Sequence, residues 1–304
     1  MKSMVKGSII MKTIIITGAN SGLGFECAKN ILLENPEYFI VMACRSIEKA
    51  EKSKSELIKM KKNENIAVME LNLSSLNSVR KFAENFKQAG YPPLFGIVCN
   101  AGISNSNVGV TEDGFDIVFG TNHLGHFLLT VLLLPLVEEN GRITVVSSDM
   151  HNPPNGLTYR GAEELAHPAS KINDIYSQSK LCNLYFTYEL AGRLSEMGRK
   201  ITVNAFNPGL LTDTNFHVNS TRSFSEDFMK KVADRIGYLS ESGKALADMV
   251  TKPYYGENTG KYNDRGEEIP SSELSYNAEN AKKLWESSVN YTKLQKNETL
   301  DGLL

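Results

Sequence analysis

Cysteine is scarce in this chain of 304 residues, and none of the four (Cys27, Cys44, Cys99, Cys182) belongs to a CxxC pair. All four sit inside apolar stretches, which reads as reduced, buried side chains of a cytoplasmic protein rather than a disulfide framework. Histidine is sparse as well. His123, His126, His151, His167 and His217 show no metal-ligand spacing, so no metal site is expected. Excess charge of one sign is missing: the net charge is -2 and the basic residues are scattered, which leaves no footprint for nucleic acid. The longest apolar run, residues 127–137, includes Thr130 and Pro135 and falls short of a bilayer span, so no transmembrane segment is expected. The first twelve residues carry basic side chains but no apolar core for secretion, and residues 1–10 read as a flexible leader before Met11. Repeats and low-complexity linkers are absent too, and residues 11–304 read as one domain.

What is present is alternation. The hydrophobic fraction of 41% and charged fraction of 22% are ordinary for a globular chain. Apolar or β-branched runs at 13–17, 38–43, 66–71, 95–99, 142–147 and 202–206 are separated by helical patterns at 22–33, 47–61, 76–89, 115–137 and 177–197. This predicts an α/β fold, a doubly wound parallel sheet covered by helices on both faces. Two stretches break the rhythm. Residues 149–175 contain Pro153, Pro154, Gly156 and Pro168, and residues 210–240 place Phe224, Phe228, Val232 and Ile236 at helical spacing. Both follow strands on the side where open α/β sheets bind ligands, and both are expected to wall a substrate pocket. Phe216, Phe224, Phe228, Met229 and Tyr238 would make that wall apolar, or would equally serve to pack a lid helix.

The first strand runs into Thr17-Gly-Ala-Asn-Ser-Gly-Leu-Gly24. Gly18, Gly22 and Gly24, with Asn20, Ser21 and Leu23 between them, form a turn that lets a pyrophosphate approach the backbone at a helix N-terminus. The second strand ends in Arg45 and Ser46 with Lys49 one turn on. A guanidinium there suits a 2′-phosphate, where a carboxylate would suit a free ribose hydroxyl, so the expected cofactor is NADP(H). Asn100, Ala101 and Gly102 end the fourth strand, where small residues pass under an adenosine. Pro208 and Gly209 end the sixth, with Thr212 placed to hydrogen-bond a carboxamide.

Tyr176-Ser-Gln-Ser-Lys180 puts a phenol and an ammonium on one helical face. The charge of Lys180 favours the phenolate, tuning Tyr176 as a general acid/base, and Lys180 can also hold the nicotinamide ribose. Ser148, at the end of a strand, can donate to the same substrate oxygen; the adjacent Ser147 would face the other way.

With these residues in this order, the chain resembles the short-chain dehydrogenase/reductase family from about residue 13 to residue 294. Asn122-His-Leu-Gly-His-Phe127 adds to the likeness. The resemblance implies a seven-stranded sheet and hydride transfer, and it adds Asn122, which in the family holds a water in a proton relay. It also implies an adenine contact at the end of the third strand, where Asn72 and Leu73 replace the usual aspartate-containing pair. The likeness is strongest to the branch of retinol dehydrogenases and light-dependent protochlorophyllide reductases. Val41-Met-Ala-Cys-Arg45 and Ser179-Lys-Leu-Cys-Asn183 look like the latter, while Leu284-Trp-Glu-Ser-Ser288 looks like the former. Retinol dehydrogenases commonly carry an N-terminal membrane helix, which this sequence does not show. Cys182 matches a cysteine near the reductases' pigment, although a buried packing role fits it as well.

The expected activity is therefore NADP-dependent reduction of a carbonyl, or oxidation of an alcohol, on a small apolar molecule. The alternatives are reduction of a tetrapyrrole double bond and a non-catalytic NADP sensor. Family members often pair through the helices at 115–137 and 177–197, so a homo-oligomer is a further expectation.

Overall fold

The computed structural model describes residues 10–104, 109–212, 214, 230 and 232–304. Its frame begins with β1 (Lys12–Thr17), α1 (Gly22–Glu34), β2 (Tyr38–Cys44), α2 (Ile47–Lys61), β3 (Ile66–Glu70), α3 (Leu76–Gln88) and β4 (Leu94–Cys99). A continuous helical stretch follows: α4 (Ile117–Phe119), a π-helical segment (Gly120–Leu124), α5 (Gly125–Leu133) and a short 3-10 turn (Leu134–Leu136). Then come β5 (Val137–Val146), α6 (Ala162–Ala166), α7 (Ile175–Glu196) and β6 (Thr202–Asn207). The chain ends with β7 (Leu210–Leu211), β8 (Ile236–Gly237), α8 (Leu239–Thr251), β9 (Tyr262–Asp264), β10 (Glu267–Ile269) and α9 (Ala278–Thr292).

The main sheet has eight strands in the order β10-β9-β6-β5-β4-β1-β2-β3. Seven are parallel, as the sequence predicts, and the eighth, β10, turns back antiparallel against β9 at the edge. Strand periodicity sends alternate side chains to opposite faces. Ile14 and Ile16 pack against α1, α2 and α8, whereas Ile15 packs against α3, α5 and α7. All three are fully buried, each contributing about 1.5–3 kcal/mol of hydrophobic stabilisation. That double burial is why β1 reads as an uninterrupted apolar run rather than an alternating one.

The helical stretch Ile117–Leu136 has the length and hydropathy of a bilayer span, but 89% of its apolar window is buried inside the protein, as in a core helix. Every residue of α5 is buried, and so is every residue of α7 from Ser177 to Thr187. The chain's own C-terminal part supplies much of this cover. Trp285 of α9 meets Phe127 edge-on at 5.1 Å and stacks on Phe186 at 6.3 Å, with the Arg193 guanidinium 4.5 Å from its ring. The helices expected to meet a second copy are thus largely covered from within.

The helical spacing expected through Val232 and Ile236 is not what forms there. Ala233–Arg235 is a single 3-10 turn and Ile236 enters β8, which pairs with β7 beside Pro208-Gly209. The connection 149–175, expected to be irregular, contains α6 and a 3-10 turn at Asp149–His151.

Candidate active site

Parallel strands all end on one side of the sheet, and their ends line a single cleft of about 960 Å³. The turn after β1 forms one end of it. Gly18 and Gly22 have φ of +65° and +55°, in the left-handed region that a Cβ disfavours. Ser21 caps α1 with extended backbone, makes no side-chain cap bond, and is followed by no acidic residue in the first turn. The positive end of α1 is thus left to an outside anion, and this fits a pyrophosphate. Gly18, Asn20, Ser21, Gly22 and Leu23 line the cleft. Gly24 does not line it. A Cβ there would stand 2.5 Å from Asn100 Nδ2 and 2.6 Å from the Gly18 carbonyl oxygen, so its part is to let α1 close on β4.

Arg45 lines the cleft, is solvent-exposed, and makes no ion pair among the described residues. Ser46 beside it is absent from the lining, and its hydroxyl accepts the Lys49 backbone N–H at 3.4 Å as the N-cap of α2. Asn72 and Leu73 line the cleft, but Asn72 Oδ1 already accepts the Ser74 hydroxyl at 2.8 Å and the Ser74 backbone N–H at 3.2 Å. This oxygen is thus already engaged within the protein at the place where the resemblance implies an adenine contact. Asn100, Ala101, Gly102, Pro208 and Gly209 line the cleft as expected. Thr212 is exposed and stands outside the lining; Thr214 takes a place in it.

At the other end Ser148, Tyr176 and Lys180 converge. Ser148 is hydrogen-bonded to the Tyr176 phenol. Ser147, one residue back, also borders the cleft, but its hydroxyl donates to the Lys180 carbonyl at 2.9 Å. Lys180 Nζ donates to the Val146 carbonyl at 3.0 Å and lies 5.5 Å from the centre of the Tyr176 ring. Burial pulls its ammonium down to about 8. The phenol departs from the sequence expectation: burial, the largest effect, pushes it above its ordinary value, the Ser148 hydrogen bond opposes this, and the Asp149 charge adds to the rise. Among protein groups alone desolvation outweighs the nearby ammonium.

Asn122 is fully buried and outside the cleft lining. Its side chain accepts the Ile103 backbone N–H and donates to the Ile103 carbonyl, both at 2.9 Å, and donates to Ser179 at 3.0 Å. Its backbone carbonyl accepts from His126 Nδ1 at 3.1 Å. That bond requires hydrogen on Nδ1, so Nε2 carries the lone pair and accepts the Thr17 hydroxyl at 2.9 Å. The Thr17 oxygen in turn receives the backbone N–H groups of Asn100 and Ala101, each at 2.9 Å. His126 therefore ties the ends of β1 and β4 to the segment of Asn122.

Burial holds His126 down to about 4 and His123, which meets Ser288 at 2.8 Å, down to about 3. Below the unfolded value near ~6.5 the unfolded chain takes up protons that these imidazoles refuse. Stability is accordingly complete above that value and lost as pH falls toward 4. For His126 alone the loss is about 3 kcal/mol. Urea unfolding followed between these limits is expected to show a steep acid slope that His126→Leu makes shallower, and an unchanged slope would refute this.

Several pocket residues were not read from the sequence. Asp149, Met150 and Arg235 line the cleft beside Ser148, and Asp149 pairs with Arg235 at 2.6 Å. The signal available was an acidic residue directly after Ser148, at a strand end. Of the expected apolar wall, Phe216, Phe224, Phe228 and Met229, like His217, lie outside the described residues. Tyr238 is 63% exposed and is not part of the lining, to which Ile103, Leu211, Val232 and Leu239 contribute. Cys182 is fully buried in the cluster around Tyr185, and no group of metal-binding side chains occurs among the described residues.

The profile of short chain dehydrogenases matches residues 12–162. WW domain-containing oxidoreductase of Gallus gallus is 38% identical over 215 residues, which is 68% of this chain and 51% of that protein. The chain thus spans about half the length of these first relatives. Chloroplastic protochlorophyllide reductase of Cucumis sativus is 34% identical over 326 aligned positions, covering 94% of this chain and 78% of the reductase. Retinol dehydrogenase 14 of Mus musculus is 38% identical over 222 residues, 68% of this chain and 64% of its own. Among solved structures, an uncharacterized protein from Mycobacterium paratuberculosis shares the fold with a TM-score of 0.68 at 29% identity, covering 94% of this chain and 95% of that one.

Proposed function

The chain belongs to the short-chain dehydrogenase/reductase family, and on that premise we propose that it is an NADP-dependent oxidoreductase acting on a carbonyl or alcohol of a small apolar molecule. The observation that carries this reading is the convergence of Ser148, Tyr176 and Lys180 at one end of a cleft whose other end is the glycine turn. When bound there, NADPH supplies the hydride. Tyr176 gives its phenolic proton to the substrate oxygen as negative charge develops on it. Ser148 donates a hydrogen bond to the same oxygen. Lys180 holds the nicotinamide ribose, and its ammonium, together with the positive charge of the oxidised ring, draws the phenol back from the high value that burial imposes. Asn122 keeps a water in reach of Lys180 for return of the proton. The apolar side chains of Ile103, Val232 and Leu239 receive the substrate body.

The Arg45 guanidinium, exposed on the cleft and in no ion pair among the described residues, supports NADP over NAD. Arg45→Asp is expected to raise the Kd for NADPH at least tenfold, since a charge-assisted bond to phosphate contributes roughly 1.5–3 kcal/mol, and to leave NADH binding nearly unchanged. Equal losses for both cofactors, measured by fluorescence titration, would contradict the assignment. The activity itself is tested by NADPH oxidation against a panel of aldehydes, ketones and retinoids. Tight NADPH binding with no turnover on any of them would favour a sensor. A second reading, reduction of a tetrapyrrole double bond by the same tyrosine, draws support from the protochlorophyllide reductase likeness over most of the chain. Illumination of the protein with protochlorophyllide and NADPH, followed by absorbance, decides it; no conversion excludes it.

A further inference from the structure

Next to the candidate proton donor stands an ion pair that the reaction scheme above does not use. Asp149 follows Ser148 directly, and Arg235 closes the 3-10 turn before β8. Asp149 Oδ2 takes the Arg235 Nε–H at 2.6 Å, while its Oδ1 accepts the Ser148 hydroxyl at 3.1 Å. The Ser148 oxygen receives the Met150 backbone N–H at 3.2 Å. The carboxylate and the Tyr176 phenol oxygen therefore compete for the single Ser148 hydroxyl hydrogen, which favours the phenolate only when it turns toward the phenol. The Ser148 peptide is fixed from its other side: His151 Nδ1 donates to the Ser148 carbonyl at 2.7 Å, and His151 Nε2 accepts the Ser272 N–H at 3.0 Å.

We propose that Asp149 and Arg235 are a positioning pair for the reaction. Asp149 holds the Ser148 hydroxyl and sets a negative charge beside the Tyr176 phenol, and Arg235 moderates both by acting through Asp149. The inference rests on the reading of Tyr176 as proton donor. To stabilise a substrate oxygen, Ser148 must turn its hydrogen away from Asp149, so the carboxylate competes with substrate for that hydrogen. Arg235 weakens the competition by drawing charge toward Oδ2. Without Arg235 the carboxylate holds Ser148 harder and opposes the phenolate more strongly; without the Asp149 charge the phenol becomes more acidic.

The other charged and titratable groups in reach act on the same two centres. Lys180 lies over the Tyr176 ring. Around Asp149 stand Arg265, His151, which burial keeps neutral, and Tyr262, which burial keeps protonated. Asp264 pairs with Arg265, and Asp234 lies near Arg235 and Arg265. None of these is hydrogen-bonded to the Ser148 hydroxyl, His151 meeting only the Ser148 carbonyl, so removing Asp149 or Arg235 changes the one carboxylate that is.

The full-length protein labelled with fluorotyrosine allows a test that needs no turnover. The Tyr176 fluorine resonance is identified by its loss in Tyr176→Phe, and its titration midpoint is compared between variants. Asp149→Asn is expected to move the midpoint down by about one pH unit, and Arg235→Gln up by about half a unit. Arg235→Lys, which keeps the charge, should restore the original midpoint, and the double variant should follow Asp149→Asn. The pH profile of kcat/KM should shift in the same directions. Midpoints that stay put, or that move the same way in both single variants, would overturn the proposal. A wild-type enzyme that reduces no carbonyl would instead remove the function proposed above, while the NMR shifts would still stand or fall by themselves.

Discussion

Tyr176→Phe is expected to lower kcat/KM for carbonyl reduction by about 10²–10⁴-fold, the range a positioned general acid supplies, with the Kd for NADPH nearly unchanged. The two effects separate because of what the substitution removes. Only the hydroxyl goes, and with it the bond to Ser148. The ring stays, so Lys180 retains its place beside it and its bond to the Val146 carbonyl. The glycine turn is a matter of backbone geometry that the substitution leaves in place, and it would continue to hold the cofactor. Steady-state kinetics and cofactor fluorescence read the two quantities independently. A phenylalanine variant retaining turnover within tenfold of the original would dismiss Tyr176 as the proton donor.

Gly24→Val should damage fold and cofactor binding together. The Cβ it adds would stand 2.6 Å from the Gly18 carbonyl oxygen and 3.1 Å from Ala19 Cα, and these are backbone atoms that cannot rotate away. Relief requires α1 to back off from Gly18 and Ala19 after β1 and from the Asn100 side chain beyond β4, opening the turn that presents Gly18, Ser21 and Gly22. Overpacking of this kind costs about 1–3 kcal/mol, and the displaced N-terminus of α1 should raise the Kd for NADPH more than tenfold. Gly192→Ala is the matched control. It lies in α7 with nothing within 4 Å of an added Cβ, so alanine there should stabilise the helix by up to about 1 kcal/mol. A Gly24→Val protein with unaltered Tm and Kd would mean that α1 approaches β4 less closely than described.

The parallel core was legible because its chemistry is repetitive. Strands buried on both faces must be apolar throughout, and Lys12–Thr17 and Tyr38–Cys44 emerge within a residue or so of where the sequence places them. The edge was not legible for the opposite reason. Tyr262–Asp264 and Glu267–Ile269 are three residues each and carry Asn263, Asp264, Glu267 and Glu268, which no periodicity separates from a loop. The glycine turn and the Ser148, Tyr176, Lys180 set were read from residue type and spacing, since one helical turn and one strand end fix their geometry. Other parts of the site depend on contacts between distant segments. Arg235 reaches Asp149 across 86 positions of sequence, and Thr17 meets His126 across 109. The rise that burial imposes on the phenol was not legible, because a lysine four residues on is visible in a sequence whereas desolvation is not.

The helix that carries Tyr176 and Lys180 has its outer flank closed by α9 and the residues that follow it. Trp285 covers Phe127 and Phe186, and the Leu303 carbonyl is held by Arg193 at 2.8 Å. A chain in which α9 has not yet docked therefore presents the bare rings of Phe127 and Phe186, and such an intermediate is sticky rather than merely slow.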